Sequence, residues 1–261
     1  STTYEVTGDQ MKALRQVIEE FGMRVPKKDD ALRAFDRRFI KAKNTAIRTD
    51  VNKEDMEEIA AVVRNASGLA DYTIVTIHAH ESDRERSVPA KFLVTFARAM
   101  IDAGADVFVG HGPHVLRGIE IYKGRPILYS LSNFIFQNET LDRLPYENYE
   151  RYRLDSNSHV ADFNDKRYNL DRRGFPSKAE YWESIIAVPA WKGKDIVEIK
   201  LYPVTLGFGK PRTARGRPLF ADEELSKKII DDLQRLSEPF GTIVEYQDGI
   251  GILRFSTKKD E

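Results

Sequence analysis

The chain has 261 residues, 41% hydrophobic and 31% charged, which is the balance of a globular protein long enough to bury a core. Its 41 basic and 41 acidic residues cancel, so the basic excess expected of a nucleic-acid binder or a polybasic membrane anchor is missing. With no cysteine, disulfides and thiolate metal sites are excluded, and no run reaches the ~18–20 apolar residues of a membrane-spanning helix.

In chain order, Thr2-Thr3-Tyr4-Glu5-Val6 reads as a strand. Ser1 to Gln10 lack the basic and apolar regions of a signal peptide. No starting Met is present, so the chain is expected to begin inside a longer protein, and both cytoplasmic and cell-envelope locations stay open. From Gln10 to Phe21, Met11, Leu14, Val17, Ile18 and Phe21 recur at helical spacing, and Gly22 follows as a C-cap. Pro26 to Asp50 is charged and reads as irregular, with Phe35, Phe39 and Ile40 as its few core candidates. Asn52 caps a helix predicted to run to about Asn65, with Met56, Ile59, Ala60 and Val63 on one face.

Tyr72 to Ile77 is a nearly continuous apolar run, the pattern of a buried parallel strand. Ser87 and Pro89 open a helix whose Phe92, Leu93, Phe96, Met100 and Ile101 face inward, and Gly104 ends it. Asp106 to Val109 is the next strand, completing a βαβ unit. A hairpin follows, Ile119 to Tyr122 and Ile127 to Tyr129 about a Lys123-Gly124-Arg125 turn. Residues 138–180 are polar, Tyr-rich and unpatterned, and read as an irregular, lid-like insertion. Strands return at Ser184 to Val188 and Ile196 to Val204, then a helix from Asp222 to Leu236 and a hairpin turning at Asp248-Gly249.

The chain has 5 histidines, and His78, His80, His111 and His114 follow directly on the two strands of the βαβ unit. His78 and His80 are two apart and project from one face of an extended chain. Pro113 bends the path so that His114 returns toward His111. Ligands of open parallel sheets bind outside the carboxyl ends of the strands, so the spacing gathers imidazoles where a site is expected. Imidazole suits Zn, Mn, Fe, Co and Ni alike. A dinuclear hydrolytic centre also needs carboxylates or an Asn, and Glu81 and Asp83 are candidates as ligands, orienting groups or general base.

Several weaker readings accompany this cluster. Arg117 could meet an anionic substrate group, or equally form a surface salt bridge. Asn133 could reach a metal or substrate, or stabilise a turn. His159 reads as solvent-exposed, Tyr146, Tyr149 and Tyr152 as local packing, and the basic stretch from Lys210 to Arg217 as a solvated loop.

Residues 71–136 resemble the bacterial capsule-synthesis family known as CapA, or poly-gamma-glutamate synthesis proteins. The matching pieces are Asp71 to His78, Ile101 to Asp106, Gly110-His111-Gly112-Pro113-His114-Val115, Ile119 to Gly124 and Tyr129-Ser130-Leu131-Ser132-Asn133-Phe134. The resemblance implies an α/β fold of the calcineurin-like metallophosphoesterase kind, a four-layer α-β-β-α sandwich with a two-metal site at the strand ends. It implies His78, His111 and His114 as metal ligands; beside them, the residues themselves offer His80 and Glu81 as catalytic groups and Arg117 and Asn133 as substrate contacts. Two positions depart from the family pattern: Gly112 stands where the family more often has His, and Ser132 where it has Gly.

The superfamily's early Asp-x-His, Gly-Asp and Asn-His motifs are missing, so the chain is expected to be one domain over 1–261 lacking its N-terminal part, and to hold metal poorly alone. The expected function is a metal-dependent enzyme, hydrolase-type, with two divalent ions (Mn, Zn or Fe), in the making or processing of poly-gamma-glutamate. Its partner would be a polyanionic peptide-like polymer or a phosphorylated small molecule, together with the missing N-terminal segment. The alternatives are a phosphatase, a peptide epimerase, or a non-catalytic polymer-binding component of capsule assembly.

Overall fold

The computed structural model describes residues 2–25 and 30–255. Strand β1 (Thr2–Val6) leads into helix α1 (Gly8–Glu20), whose first turn is closed by Thr7 and Gln10: the Gln10 amide donates to Thr7 Oγ1 and the Thr7 amide to Gln10 Oε1. Strands β2 (Ala31–Ala34), β3 (Arg37–Lys41) and β4 (Ala46–Thr49) complete a small sheet ordered β2-β3-β1-β4. This corrects the expectation of an irregular stretch, whose residues 26–29 lie outside the described residues. Leu32 and Ala34 alternate inward against Met11 and Ile18, a period of two too short to stand out in a charged run. Phe35 and Asp36 both take positive φ and make the turn between β2 and β3, which leaves Phe35 exposed.

Helix α2 (Lys53–Leu69) starts on Asn52, whose side chain accepts from the Glu54 amide, and runs past the predicted end. Ala60 and Val63 are buried, but Ile59 faces outward. Strand β5 (Ile74–His78), helix α3 (Lys91–Asp102) and strand β6 (Val107–His111) form the expected βαβ unit, with β5 and β6 parallel from Ile74↔Val107 to His78↔His111. Strands β7 (Ile119–Tyr122) and β8 (Arg125–Leu128) form the hairpin, and β8 runs parallel to β6, giving a sheet ordered β5-β6-β8-β7. One face of this sheet packs Phe108, Ile127 and Tyr129 against Val63, Leu93, Phe96 and Met100 of α2 and α3.

The 138–180 segment is less irregular than expected. It holds helices α4 (Tyr146–Arg151) and α5 (Val160–Tyr168), and α5 buries Val160, Phe163 and Tyr168. Tyr149 and Tyr152 pack on Phe163, Tyr146 is exposed, and His159 is exposed at the start of α5, where its amide donates to Asp162. Strands β9 (Glu183–Lys192) and β10 (Asp195–Thr205), the short β11 (Leu219–Phe220), helix α6 (Glu223–Ser237) and strands β12 (Glu245–Gln247) and β13 (Ile250–Arg254) finish the chain. β10 lies between β9 on one side and β13 and β11 on the other. This antiparallel sheet and α6 cover the second face of the β5–β8 sheet: Val107, Ile119 and Leu128 share one core with Ile185, Ile199, Leu201, Leu233 and Leu253.

The result is a mixed α/β fold with three sheets, in which two packed sheets carry helices α2 and α3 on one side. β5 departs from its expected burial. Among the described residues it pairs only with β6 and no strand lies on its other edge, and Ile74 is 59% exposed with Thr76 and His78 also open. The second sheet covers β6 and β8 but leaves the same face of β5 bare. An apolar pattern records that a strand is suited to burial, not that a neighbour is present to bury it.

Candidate functional site

The four clustered histidines meet at the carboxyl ends of β5 and β6. His78 and His111 are register partners on the last rung of the parallel ladder, and the Ala79 amide extends it by donating to the His111 carbonyl at 2.8 Å. Gly112 allows this closeness: its φ is +112°, and a Cβ there would stand 2.9 Å from the Ala79 backbone N, C and O. Gly110 serves similarly on the other side, where a Cβ would meet the Tyr129 carbonyl oxygen at 2.2 Å. Small residues thus draw the ends of β5, β6 and β8 together beneath the imidazoles.

Nε2 of His78 and Nε2 of His80 approach to 3.2 Å, and the His80 ring lies 5.5 Å from that of His114. Two nitrogens bound about 2.0–2.1 Å from one tetrahedral Zn would be roughly 3.3 Å apart, so the His78–His80 pair has the bite of two imidazole ligands. His114 is backed by Asn133: Nδ1 and Asn133 Oδ1 are 2.8 Å apart, and Asn133 Nδ2 donates to the Tyr181 carbonyl. With Asn133 Oδ1 accepting, Nδ1 carries the proton and Nε2 keeps its lone pair, the tautomer a ligand needs. Burial, and secondarily the charge of His78, lower the pKa of His111. Burial also lowers that of His114, against the Asn133 contact and with the charges of His80, Arg86 and His78. Both rings are therefore held neutral near pH 7. Among the described residues, no three His, Cys, Asp or Glu side chains converge as a complete ligand set.

The walls of the site come from sequence-distant places. The His114 ring has Phe175 at 5.1 Å edge-on and Phe136 at 5.9 Å, and Phe175 also meets Tyr181 at 4.8 Å. Phe175 opens a 3-10 turn at Phe175–Ser177 inside the insertion, so that segment furnishes part of the site. Both Ser132 and His114 sit at positive φ, +67° and +62°, in the left-handed region. Ser132 occupies the position where the family pattern has Gly, and its hydroxyl donates to the His114 carbonyl.

The other expected residues fare differently. Glu81 is exposed beside His80, and only its backbone carbonyl is engaged. Arg117 is neither a substrate contact nor a surface ion pair: it is fully buried, with Nε donating to the Arg86 carbonyl and Nη2 to that of Glu81. Its Nη1 has no hydrogen-bond partner among the described residues. Burial pushes its pKa down to about 10, reinforced by the charge of Arg86 and opposed by Glu81. Arg117 thus ties the loop after His80 to the strand that follows His114.

The basic stretch Lys210 to Arg217 is likewise not simply solvated. Arg215 is buried against Trp182 and pairs with Glu139 and Asp171, while Arg212 pairs with Asp165 and Asp171. These pairs clamp both ends of the insertion. Sequence reasoning missed Phe136, Phe175, Tyr181 and the two clamp arginines, because no periodic pattern links partners 22 to 76 residues apart.

Comparison with known proteins follows this geometry. Residues 13–138 match the family described as bacterial capsule synthesis protein PGA_cap. The chain is 36% identical over 266 residues to the uncharacterized protein y4sH of Sinorhizobium fredii, covering 95% of this chain and 56% of that one. It is 44% identical over 82 residues to the PGA biosynthesis protein CapA of Bacillus subtilis, covering 31% and 21% of the two chains. With the capsule biosynthesis protein CapA of Bacillus anthracis it shares 40% over 81 residues, 31% and 19% of the two. It spans about half the length of y4sH and about a fifth of each CapA protein. Over residues 13–138, and in the stretches shared with these relatives, the chain is similar to the bacterial capsule synthesis protein family.

Proposed function

We propose that this chain carries the histidine half of a metal-dependent, hydrolase-type site acting in the making or processing of a capsule-like polyglutamate. The observation that carries the reading is the 3.2 Å approach of His78 Nε2 to His80 Nε2 at the ends of two parallel strands, with His114 beside them in its ligand tautomer. Zn, Mn or Fe would be held by His78, His111 and His114 once further ligands complete the set, with His80 adjoining. When bound, a pair of such ions supplies Lewis acidity and a hydroxide near neutral pH. The chain's own contribution is to orient the His114 ring through Asn133, to disfavour charge on His111 and His114 by burial, and to wall the site on the Phe136–Phe175 side. Glu81, exposed beside His80, is the candidate proton acceptor.

The free edge and bare face of β5 support a further part of the reading. Strands from a preceding segment of a longer protein would pair there, completing a metallophosphoesterase-like four-layer sandwich and bringing the missing carboxylates to the histidines. The incomplete ligand set among the described residues favours one rival, a polymer-binding component without turnover.

Elemental analysis tests both. A form extended at its N-terminus, purified without chelator, should hold about two transition-metal equivalents and this chain little. Loss of metal and of turnover of γ-glutamyl peptides or phosphate esters in His78→Ala and His114→Ala variants should follow. No metal in either form would overturn the catalytic reading and leave polymer binding.

A further inference from the structure

We propose that Arg86 is the anion-recognising cation of the histidine site, its main chain fixed by the buried Arg117. This deepens the reading above by naming the group that meets a carboxylate or phosphate of the substrate. Two observations place Arg86 there. Its Nη1 donates to the carbonyl of Pro113, next to His114, at 3.3 Å. Its guanidinium lies 5.6 Å over the Tyr181 ring, which joins Phe175 and through it the His114 ring.

Arg86 is suited to the role by what it lacks. It makes no ion pair with a carboxylate among the described residues, whereas Arg98, Arg125, Arg212, Arg215 and Arg235 all do. A planar guanidinium stacked on a ring and held by a single carbonyl keeps most of its donors free for a planar anion. Arg117 completes the device. Spending its Nε on the Arg86 carbonyl and its Nη2 on that of Glu81, it immobilises the backbone of the loop. A second positive charge is thereby buried behind Arg86, and an arriving anion would offset the repulsion between the two.

The test is an anion titration of this chain followed by NMR of the imidazole and arginine Nε–H signals, with inorganic phosphate in one arm and tri-γ-glutamate in the other. Arg86→Met should weaken binding about 10- to 100-fold, the loss of a charge-assisted contact, in whichever arm holds the natural chemistry. Arg86→Lys should recover part of it. Lys200→Met, an exposed change on β10, should have no effect. Equal affinities in the wild type and Arg86→Met, or no anion binding in either arm, would overturn the proposal. Metal content of the N-terminally extended form carrying Arg86→Met is scored separately. Metal retained with anion affinity unchanged sinks the role of Arg86 alone, while metal absent from the unsubstituted extended form sinks the metal reading.

Discussion

Gly112→Ala probes the feature that assembles the site. The substitution has two effects that can be counted separately. At φ +112° an alanine is strained wherever it sits, at a cost of about 1–3 kcal/mol. Its Cβ would also lie 2.9 Å from three backbone atoms of Ala79, which cannot rotate away as a side-chain tip could. Relief requires the ends of β5 and β6 to part, adding about 1–3 kcal/mol of overpacking. The sum, about 2–6 kcal/mol, is a large share of the ~5–15 kcal/mol that holds a domain folded. Gly124→Ala is the control, because that glycine has φ +77° but nothing within 4 Å of a built Cβ. Urea denaturation with an unchanged m-value measures both variants, and imidazole NMR follows the His78–His80 pair. The difference between the two variants is the packing contribution, and the His78–His80 signals should shift only in Gly112→Ala. If Gly112→Ala loses no more than Gly124→Ala and leaves the imidazoles untouched, close packing on Ala79 does not build the site.

Two further outcomes concern the insertion. Arg215→Met should destabilise the fold by about 3 kcal/mol, at the low end for breaking a buried pair because Asp171 can rehydrate, and should raise hydrogen exchange selectively in α4 and α5. Uniform loss of protection throughout the chain would contradict a local clamp. Acid should act on the same contact. Burial alone would raise the Asp171 pKa, but the hydrogen bonds from Arg212 and Arg215 outweigh it and hold it below the ordinary 3.8. A depressed carboxylate contributes stability above its unfolded pKa that is lost as pH falls through the folded one. Protection of the insertion should therefore fall below about pH 4 in the wild type, and Asp171→Asn should flatten that dependence; an unchanged profile would remove Asp171 from the clamp.

What the sequence determined by itself was local or carried by short motifs. The Asn52 cap, the helix from Asp222 onward, the βαβ unit, the hairpins at Lys123-Gly124 and Asp248-Gly249, and the histidines at the ends of β5 and β6 all rest on spacing within a few residues. The family, too, was legible from five motifs between Asp71 and Phe136. Tertiary structure decided what depends on neighbours far along the chain. It made β5 an open edge although its residues are those of a buried strand, and folded Leu32 and Ala34 into a sheet where charge concealed a period of two. It withdrew Arg117 into the core while leaving Arg86 at the rim, a distinction that two arginines in polar surroundings cannot signal. It also brought Phe175, 61 residues after His114, against that ring. Burial is a property of what covers a residue, so composition and periodicity can state that a side chain suits the interior or the surface, and only the packed chain decides which one it meets.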